Sequence, residues 1–312
     1  MKQSASPPQR LIPSAARPTR LELGLVLALF LAGGGLRCAY PERMAVEHFD
    51  EGVYASNHWF GPTDDFRYPS QHLYAPPLLP SLIDWIFTLW GPSDLAAMVP
   101  SLVAGCLTVP LMWWIGRSWF SPVAGLAAAT IAAFSDPHIA FSRTALTDVM
   151  LCFWLLLAVH CIWRALNGRG LGATLGAGFF TGLAWWTKYN GWLPLAIGGA
   201  GLLAWWLANR LAGSASESTN RNIGIANVPS PPDASEAPAP PDRAAPPSEG
   251  ESLWALVARM GWIAAVAFLI WLPWLWSLQS HGGYAAVASN HRGYVVGISG
   301  WWGSLETQFD NL

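Results

Sequence analysis

Long apolar runs separated by short polar breaks organise this chain. Runs near the roughly 20 residues that a spanning helix needs lie at 21–40, 95–116, 119–136, 146–164, 171–187, 190–209 and 256–278. They predict about seven transmembrane helices. The run 78–90 is shorter and holds Pro80 and Asp84, so it reads as a helix lying at the interface rather than crossing. Residues 212–252, between the sixth and seventh runs, are rich in Ser, Pro, Ala and Glu and carry no aromatic residue. Such a segment cannot bury enough surface to offset chain entropy, which predicts a disordered linker. Residues 1–20 form a basic, Pro-rich tail with Arg10, Arg17 and Arg20. No small-residue cleavage site follows the first run, so it reads as an uncleaved signal anchor. No internal repeat is evident, which counts against a transporter built from inverted repeats.

Composition points to lipid as the main solvent. Only 12% of the 312 residues are charged, against roughly 25% in soluble domains. Trp pairs such as Trp113-Trp114, Trp185-Trp186 and Trp205-Trp206 cluster near run ends, where amphipathic rings favour the interface. The net charge of -2 offers no basic surface for nucleic acid. Cys38, Cys106, Cys152 and Cys161 form no C-x-x-C pair and read as small apolar filler.

Basic residues orient the frame. With a cytoplasmic N-terminus, the inner side receives the basic tail, Arg117, Arg164, Arg169, Arg210, Arg221, Arg243 and Arg259. The inner short loops are then consistently basic, as the positive-inside rule requires. The linker 212–252 falls on the cytoplasmic side. The first outer loop, 41–94, contains His48-Phe49-Asp50-Glu51-Gly52-Val53-Tyr54 and Tyr68-Pro69-Ser70-Gln71-His72-Leu73-Tyr74-Ala75-Pro76-Pro77-Leu78. The second outer loop carries Asp136, His138, Arg143 and Asp148; the third is Thr187-Lys188-Tyr189-Asn190-Gly191; His281, His291 and Arg292 follow the last run. All these clusters fall on one face of the membrane. Charge at a span edge is costly unless paired or wet, so the convergence predicts a polar cavity opening outward. Each member also has a plainer reading. Arg143 and Asp148 suit a helix-end ion pair, Lys188 suits snorkelling to lipid phosphate, and the histidines suit an ordinary surface.

These residues resemble the polyprenyl-phosphate-dependent glycosyltransferases of the GT-C fold. That group includes the dolichyl-phosphate-mannose–protein mannosyltransferases, the lipid A aminoarabinose transferases and the rhizobial galacturonosyl transferases. His48 to Tyr54 looks like the family's acidic outer-loop motif. Tyr74-Ala75-Pro76-Pro77-Leu78 resembles its Pro-Pro-Leu segment. Arg143-Thr144-Ala145-Leu146-Thr147-Asp148 is similar to its R-x-x-L-x-D stretch, and Gly182 to Lys188 to its G-L-x-x-x-T-K ending. Pro273-Trp274 and His291-Arg292 fit more loosely. Ala75 stands where many relatives carry His or Lys; His72 or Tyr74 is near enough in sequence to compensate.

The resemblance implies an all-α integral membrane protein, with about seven transmembrane helices of the GT-C type and a large first extracytoplasmic loop containing an interfacial helix. Its parts are a cytoplasmic tail 1–20, a module 21–211, the linker 212–252, and 253–312, a seventh span and the start of an extracytoplasmic segment that relatives continue further. The implied activity is an inverting glycosyl transfer from a polyprenyl-phosphate-linked sugar donor to a hydroxyl acceptor of unknown identity. The place is the extracytoplasmic face of the inner (plasma) membrane. It implies Asp50 as general base with Glu51 orienting the acceptor or Asp50. Arg143, Lys188 and Arg292 would hold phosphate, Asp148 would position Arg143 or the sugar, and His72, Tyr74 and His291 would add donor contacts. The resemblance leaves room for a divalent metal at the phosphate, as in some relatives, although nothing in this sequence has strong metal-ligand spacing. Two other classes stay open: a transporter or flippase of lipid-linked sugars, and a non-catalytic membrane scaffold.

Overall fold

The computed structural model describes residues 17–56, 70–168, 170–222, 252–292, 300, 302–303 and 305–307, with the backbone alone for 212–222. Regular structure among them is helical: α1 (Arg20–Cys38), α2 (Phe49–Ala55), α3 (Leu78–Trp90), α4 (Asp94–Trp119), α5 (Pro122–Phe134), α6 (Asp136–Ser142), α7 (Thr147–Leu166), α8 (Gly170–Thr187), α9 (Leu193–Asn222), α10 (Leu253–Gln279) and α11 (Gly283–His291). Each of the seven predicted runs carries a helix. Among the described residues, α1, α4, α7 and α10 are long and apolar enough to cross a membrane, and the bent pair α5–α6 adds a fifth if counted as one span. Their outward faces are studded with exposed Leu, Ile and Trp, such as Leu21, Leu31, Ile131, Trp262, Leu269 and Trp276. So much exposed apolar surface requires lipid around it. The chain is a multi-pass membrane protein.

Two boundaries differ from the sequence expectation. The run 119–136 is not one straight helix: α5 ends at Phe134, and α6 leaves it at a bend of 58°. Pro137 is the cause. It has no N–H for the carbonyl of Ala133 four residues back, and the chain turns at Ser135, whose backbone is extended. α9 continues to Asn222, past the boundary expected at 211, because no proline interrupts the chain before Pro229. The rest of the expected linker, 223–251, lies outside the described residues, as do most of 1–20.

Arg37 repairs the bend. This side chain at the end of α1 is fully buried. Its Nη1 donates to the carbonyls of Gly33 (2.8 Å) and Ala133 (3.2 Å), and its Nη2 to that of Ala132 (2.8 Å). Its Nε donates to Ser142 Oγ at 3.3 Å, and Nη2 lies 2.9 Å from His138 Nδ1. The guanidinium thus takes over carbonyls that the broken helix leaves without amide partners.

Packing holds the helices in one bundle. α4 packs on α1, α3, α5 and α7, α7 on α8, and α8 on α10. The α8–α10 contact is close because Gly178 and Gly182 have no Cβ; one there would fall 2.5 Å from Val266 and 2.6 Å from Ile270. Small residues of this kind let membrane helices approach. α3 forms at the expected place, burying Leu79, Ile83 and Asp84 and exposing Trp85, Leu89 and Trp90. Val53 and Tyr54 of α2 join Leu79 and Ile83, Ala97 and Met98 of α4, and Ala145, Val149 and Met150 in one apolar cluster. At roughly 1.5–3 kcal/mol for each large side chain buried, that cluster holds the first outer loop onto the bundle.

Candidate functional site

The acidic motif starts α2. His48 is its N-cap, and its Nδ1 accepts from the Asp50 amide at 3.2 Å. Glu51, at the third helical position, reaches back: its Oε2 accepts from the amides of His48 (2.9 Å) and Glu47 (3.2 Å). This is a capping box. The other oxygen, Oε1, accepts from the Ala145 amide at 2.6 Å. Glu51 is only 2% exposed, so one carboxylate stitches α2 to the turn before α7. Asp50, beside it, is half-buried and faces an open cavity.

That turn is the Arg143-to-Asp148 stretch. Arg143 follows α6, and its Nη1 donates to the carbonyls of Leu36 (3.3 Å), Arg37 (3.3 Å) and Ala39 (2.6 Å). These are groups that the C-terminus of α1 leaves unsatisfied. Asp148 lies in the first turn of α7, where the helix dipole favours a carboxylate. It pairs with Lys188, whose Nζ is 2.8 Å from Oδ1. The expectation that Asp148 positions Arg143 is therefore corrected: its ionic partner is Lys188, because Arg143 turns back to α1.

The turn after α8 carries Lys188 to this place. The Lys188 amide donates to Ala184 at 3.0 Å, and the Gly191 amide to Lys188 at 2.8 Å. Gly191 is required there, since a Cβ would meet the Ala184 carbonyl at 2.1 Å. Trp185 stacks on buried Trp271 of α10 at 5.1 Å, and Tyr189 meets the same ring edge-on at 6.2 Å. The lysine thus leaves a turn pinned on both sides.

Asp50, Tyr74, Asp148, Lys188 and His291 line one cavity of about 300 Å³, with His48, Tyr54, Leu146 and Thr147 completing its wall. Five of the nine residues singled out from the sequence are therefore brought together. The other four are not in the wall. Glu51 and Arg143 hold backbone, as described. His72 sits in a short turn, its ring 4.8 Å from that of His281, and its carbonyl accepts from the Tyr189 hydroxyl. Burial, then the neighbouring His281, pushes the His72 pKa below the usual range. Arg292 caps α11 and is exposed. Among the described residues no three His, Cys, Asp or Glu side chains are grouped to hold a metal ion.

The sequence reading passed over three participants. Tyr54 and Thr147 line the cavity, and Arg37 holds the bend beside it. Tyr54 could have been found from its place four residues after Asp50 on a short helix. Arg37 had no local signal, since its partners lie up to 105 residues away.

Residues 74–214 match the sequence profile of the family described as Dolichyl-phosphate-mannose-protein mannosyltransferase. That stretch includes Tyr74, Arg143, Asp148 and Lys188; Asp50 and Glu51 precede it. The chain is 30% identical over 141 residues to undecaprenyl phosphate-alpha-4-amino-4-deoxy-L-arabinose arabinosyl transferase 2 of Sodalis glossinidius (strain morsitans). The match covers 42% of this chain and 25% of the relative, so the chain spans about a quarter of that protein's length. A crystal structure of ArnT from Cupriavidus metallidurans bound to undecaprenyl phosphate is similar at a TM-score of 0.48 and 14% identity, over 84% of this chain and 41% of the other. The resemblance read from the sequence motifs is borne out by the family and the curated relative.

Proposed function

We propose that this chain is the catalytic portion of a membrane glycosyltransferase. It transfers a sugar from a polyprenyl-phosphate donor to a hydroxyl acceptor at the extracytoplasmic face of the inner membrane. The observation that carries this reading is the cavity itself, where Asp50 and the Asp148–Lys188 pair share one wall. The family match covers the cation side of that wall, and the curated relative is by its name an undecaprenyl-phosphate-dependent arabinosyl transferase.

The chemistry needs a base, an electrostatic sink and a place for lipid. Asp50 takes the proton of the acceptor hydroxyl as its oxygen attacks C1 of the sugar. The bond from C1 to the phosphate oxygen breaks on the opposite side, inverting the anomeric centre. The cationic character that grows at C1 is stabilised by carboxylate charge. The departing polyprenyl phosphate gains negative charge, which Lys188 neutralises. Asp148 keeps that lysine aimed at the cavity before the phosphate arrives. Glu51 and Arg143 act at one remove: the first fixes α2 against the turn before α7, the second fixes that turn against α1. In this reading the N-terminus lies inside, the cavity opens outside, and the polyprenyl tail stays in lipid beside the bundle.

The test uses membranes holding the full chain and a labelled polyprenyl-phosphate sugar. Asp50→Asn lowers transfer by about 10²- to 10⁴-fold; transfer at the parental rate removes Asp50 from the mechanism. Movement of the labelled lipid across the bilayer with no covalent product would replace this reading with a flippase. A reporter fused within 223–251 reads cytoplasmic; an external reading inverts the frame.

A further inference from the structure

Asp50 belongs to α2, a helix of seven residues, too short to keep its shape or place alone. Glu51 ties its first turn to the Ala145 amide. Its last turn is tied by Gln71, which has no task in the mechanism above. Gln71 is 5% exposed. Its Nε2 donates to the Val53 carbonyl and, at 3.2 Å, to Ser56 Oγ. Carbonyls in the last turn of a helix have no amide partner inside it, so a buried side-chain amide spent on one fixes the end of α2.

Lys188 belongs to the turn after α8. The next residue, Tyr189, donates its hydroxyl to the carbonyl of His72, the neighbour of Gln71. The Tyr189 ring is fixed edge-on against Trp271 at 6.2 Å and Tyr284 at 5.7 Å. Between the two ties lies one short turn, Gln71–Leu73. The Leu73 and Tyr74 amides close it on the carbonyls of Ser70 and Gln71, at 2.9 and 3.0 Å. Ser70 enters it with φ at 59°, in the left-handed region that a residue with a Cβ keeps when its surroundings impose it. Leu73 packs in the cluster around Trp271, and Tyr74 lines the cavity.

These bonds complete a ring. On one side α2 reaches Lys188 through Glu51, the Ala145 amide and Asp148. On the other it reaches the same lysine through Gln71, the His72 carbonyl and Tyr189. A helix tied on one side pivots; tied on both, it keeps its distance. We infer that Gln71 and Tyr189 are positioning residues: they couple the helix of the base to the turn of the phosphate-binding lysine, and so set the separation of Asp50 from Lys188. The inference rests on Asp50 and Lys188 having the roles proposed above. Neither Gln71 nor Tyr189 lines the cavity, so their effect passes through those two groups.

Tyr189→Phe keeps the ring and removes the hydroxyl; Gln71→Met keeps the length and removes the donor. In the labelled-donor assay each lowers kcat about 10- to 100-fold, the scale of a misplacement of about 1 Å, and leaves the donor KM within about twofold. The double variant loses no more than the worse single one, because either cut opens the same side of the ring. Losses that multiply show two local defects and overturn the inference. So does parental kcat with a lowered unfolding midpoint, which makes these bonds structural ties. So does a raised donor KM at constant kcat, which makes them part of donor binding. If one single variant does not accumulate in membranes, the other decides, and parental kcat in it is fatal. If neither accumulates, the bonds serve folding and the inference falls. A parent chain that transfers no sugar, or an Asp50→Asn chain as active as the parent, overturns the functional reading and this inference with it. A cycle that fails while Asp50→Asn is inactive overturns this inference alone.

Discussion

Two ion pairs of almost equal length stand at opposite ends of the bundle. Toward the end that the proposed orientation puts inside, Arg117 Nε meets Glu22 Oε1 at 2.7 Å, with the side chains 11% and 7% exposed. Toward the end that it puts outside, Lys188 meets Asp148 at 2.8 Å, with the side chains 36% and 48% exposed. The inner carboxylate also accepts from Trp113 Nε1 at 2.9 Å. Arginine there presents a fixed fork, whereas lysine at the outer end is a mobile point charge. Distance alone does not separate these pairs; burial and the supply of other partners do. The inner pair is sealed between α1 and α4 and ties the first helix to the bundle. The outer pair is half-wet and shares a cavity with Asp50. Opening it costs little, as the proposed role at the leaving phosphate requires.

Breaking the inner pair is expected to produce the largest loss of stability. Glu22→Gln removes the carboxylate charge that faces the buried Arg117 guanidinium, and such a loss costs about 3 kcal/mol, at the lower end of the range for buried pairs because this one lies at a helix end. Thermal unfolding of the detergent-purified protein reads the change. Transfer per folded molecule stays at the parental level. A reduced kcat with normal stability would move the inner pair into the functional machinery and erase the contrast.

Lys188→Met is the reverse experiment. Exposed pairs contribute roughly 0–1 kcal/mol, so the unfolding midpoint barely moves. Loss of the cation at the leaving phosphate lowers kcat about a hundredfold, or about 2.7 kcal/mol in the barrier. A stability loss as large as that of Glu22→Gln, with kcat intact, would make Lys188 a structural tie.

The same contrast explains what the sequence revealed. The apolar runs declared the helices, since lipid leaves little freedom in where some 20 apolar residues go. Their polar ends declared the one-sided cluster, and Asp50, Tyr74, Asp148, Lys188 and His291 do share a cavity. Partners were not legible. Arg143 and Glu51 carry charges suited to a site, yet both spend them on backbone groups, on α1 and on the Ala145 amide. A motif gives a residue type and a spacing; which distant carbonyl or amide will need that charge depends on the fold. Arg37 makes the point most sharply. Its role exists only because Pro137, a hundred positions on, breaks a helix that the run of Ala132, Ala133 and Phe134 presented as continuous.

The smallest expected effect concerns the edge of the outer region, where the comparison can be refined by pH. His72 is partly buried against His281, and burial followed by that neighbour lowers its pKa in the folded protein. In an unfolded or undocked segment a histidine takes up a proton near pH 6.5. The undocked form therefore binds more protons as pH falls below that point, and linkage makes docking weaker in the same direction. Docking is complete above about pH 6.5 and is lost as pH falls through the lowered value. The segment concerned is the turn Gln71–Leu73, held to the end of α10 by the two rings, by Leu73 in the cluster around Trp271, and by the Tyr189 hydroxyl on the His72 carbonyl. Hydrogen exchange at the Leu73 and Tyr74 amides, which bond to Ser70 and Gln71 at 2.9 and 3.0 Å, reports the opening. Exchange there should quicken on acidification while amides of α4 and α7 do not change. His72→Gln should flatten that response without altering the inner pair. Equal acceleration across the bundle would mean that acid loosens the whole molecule, and that the outer region has no separate response of its own.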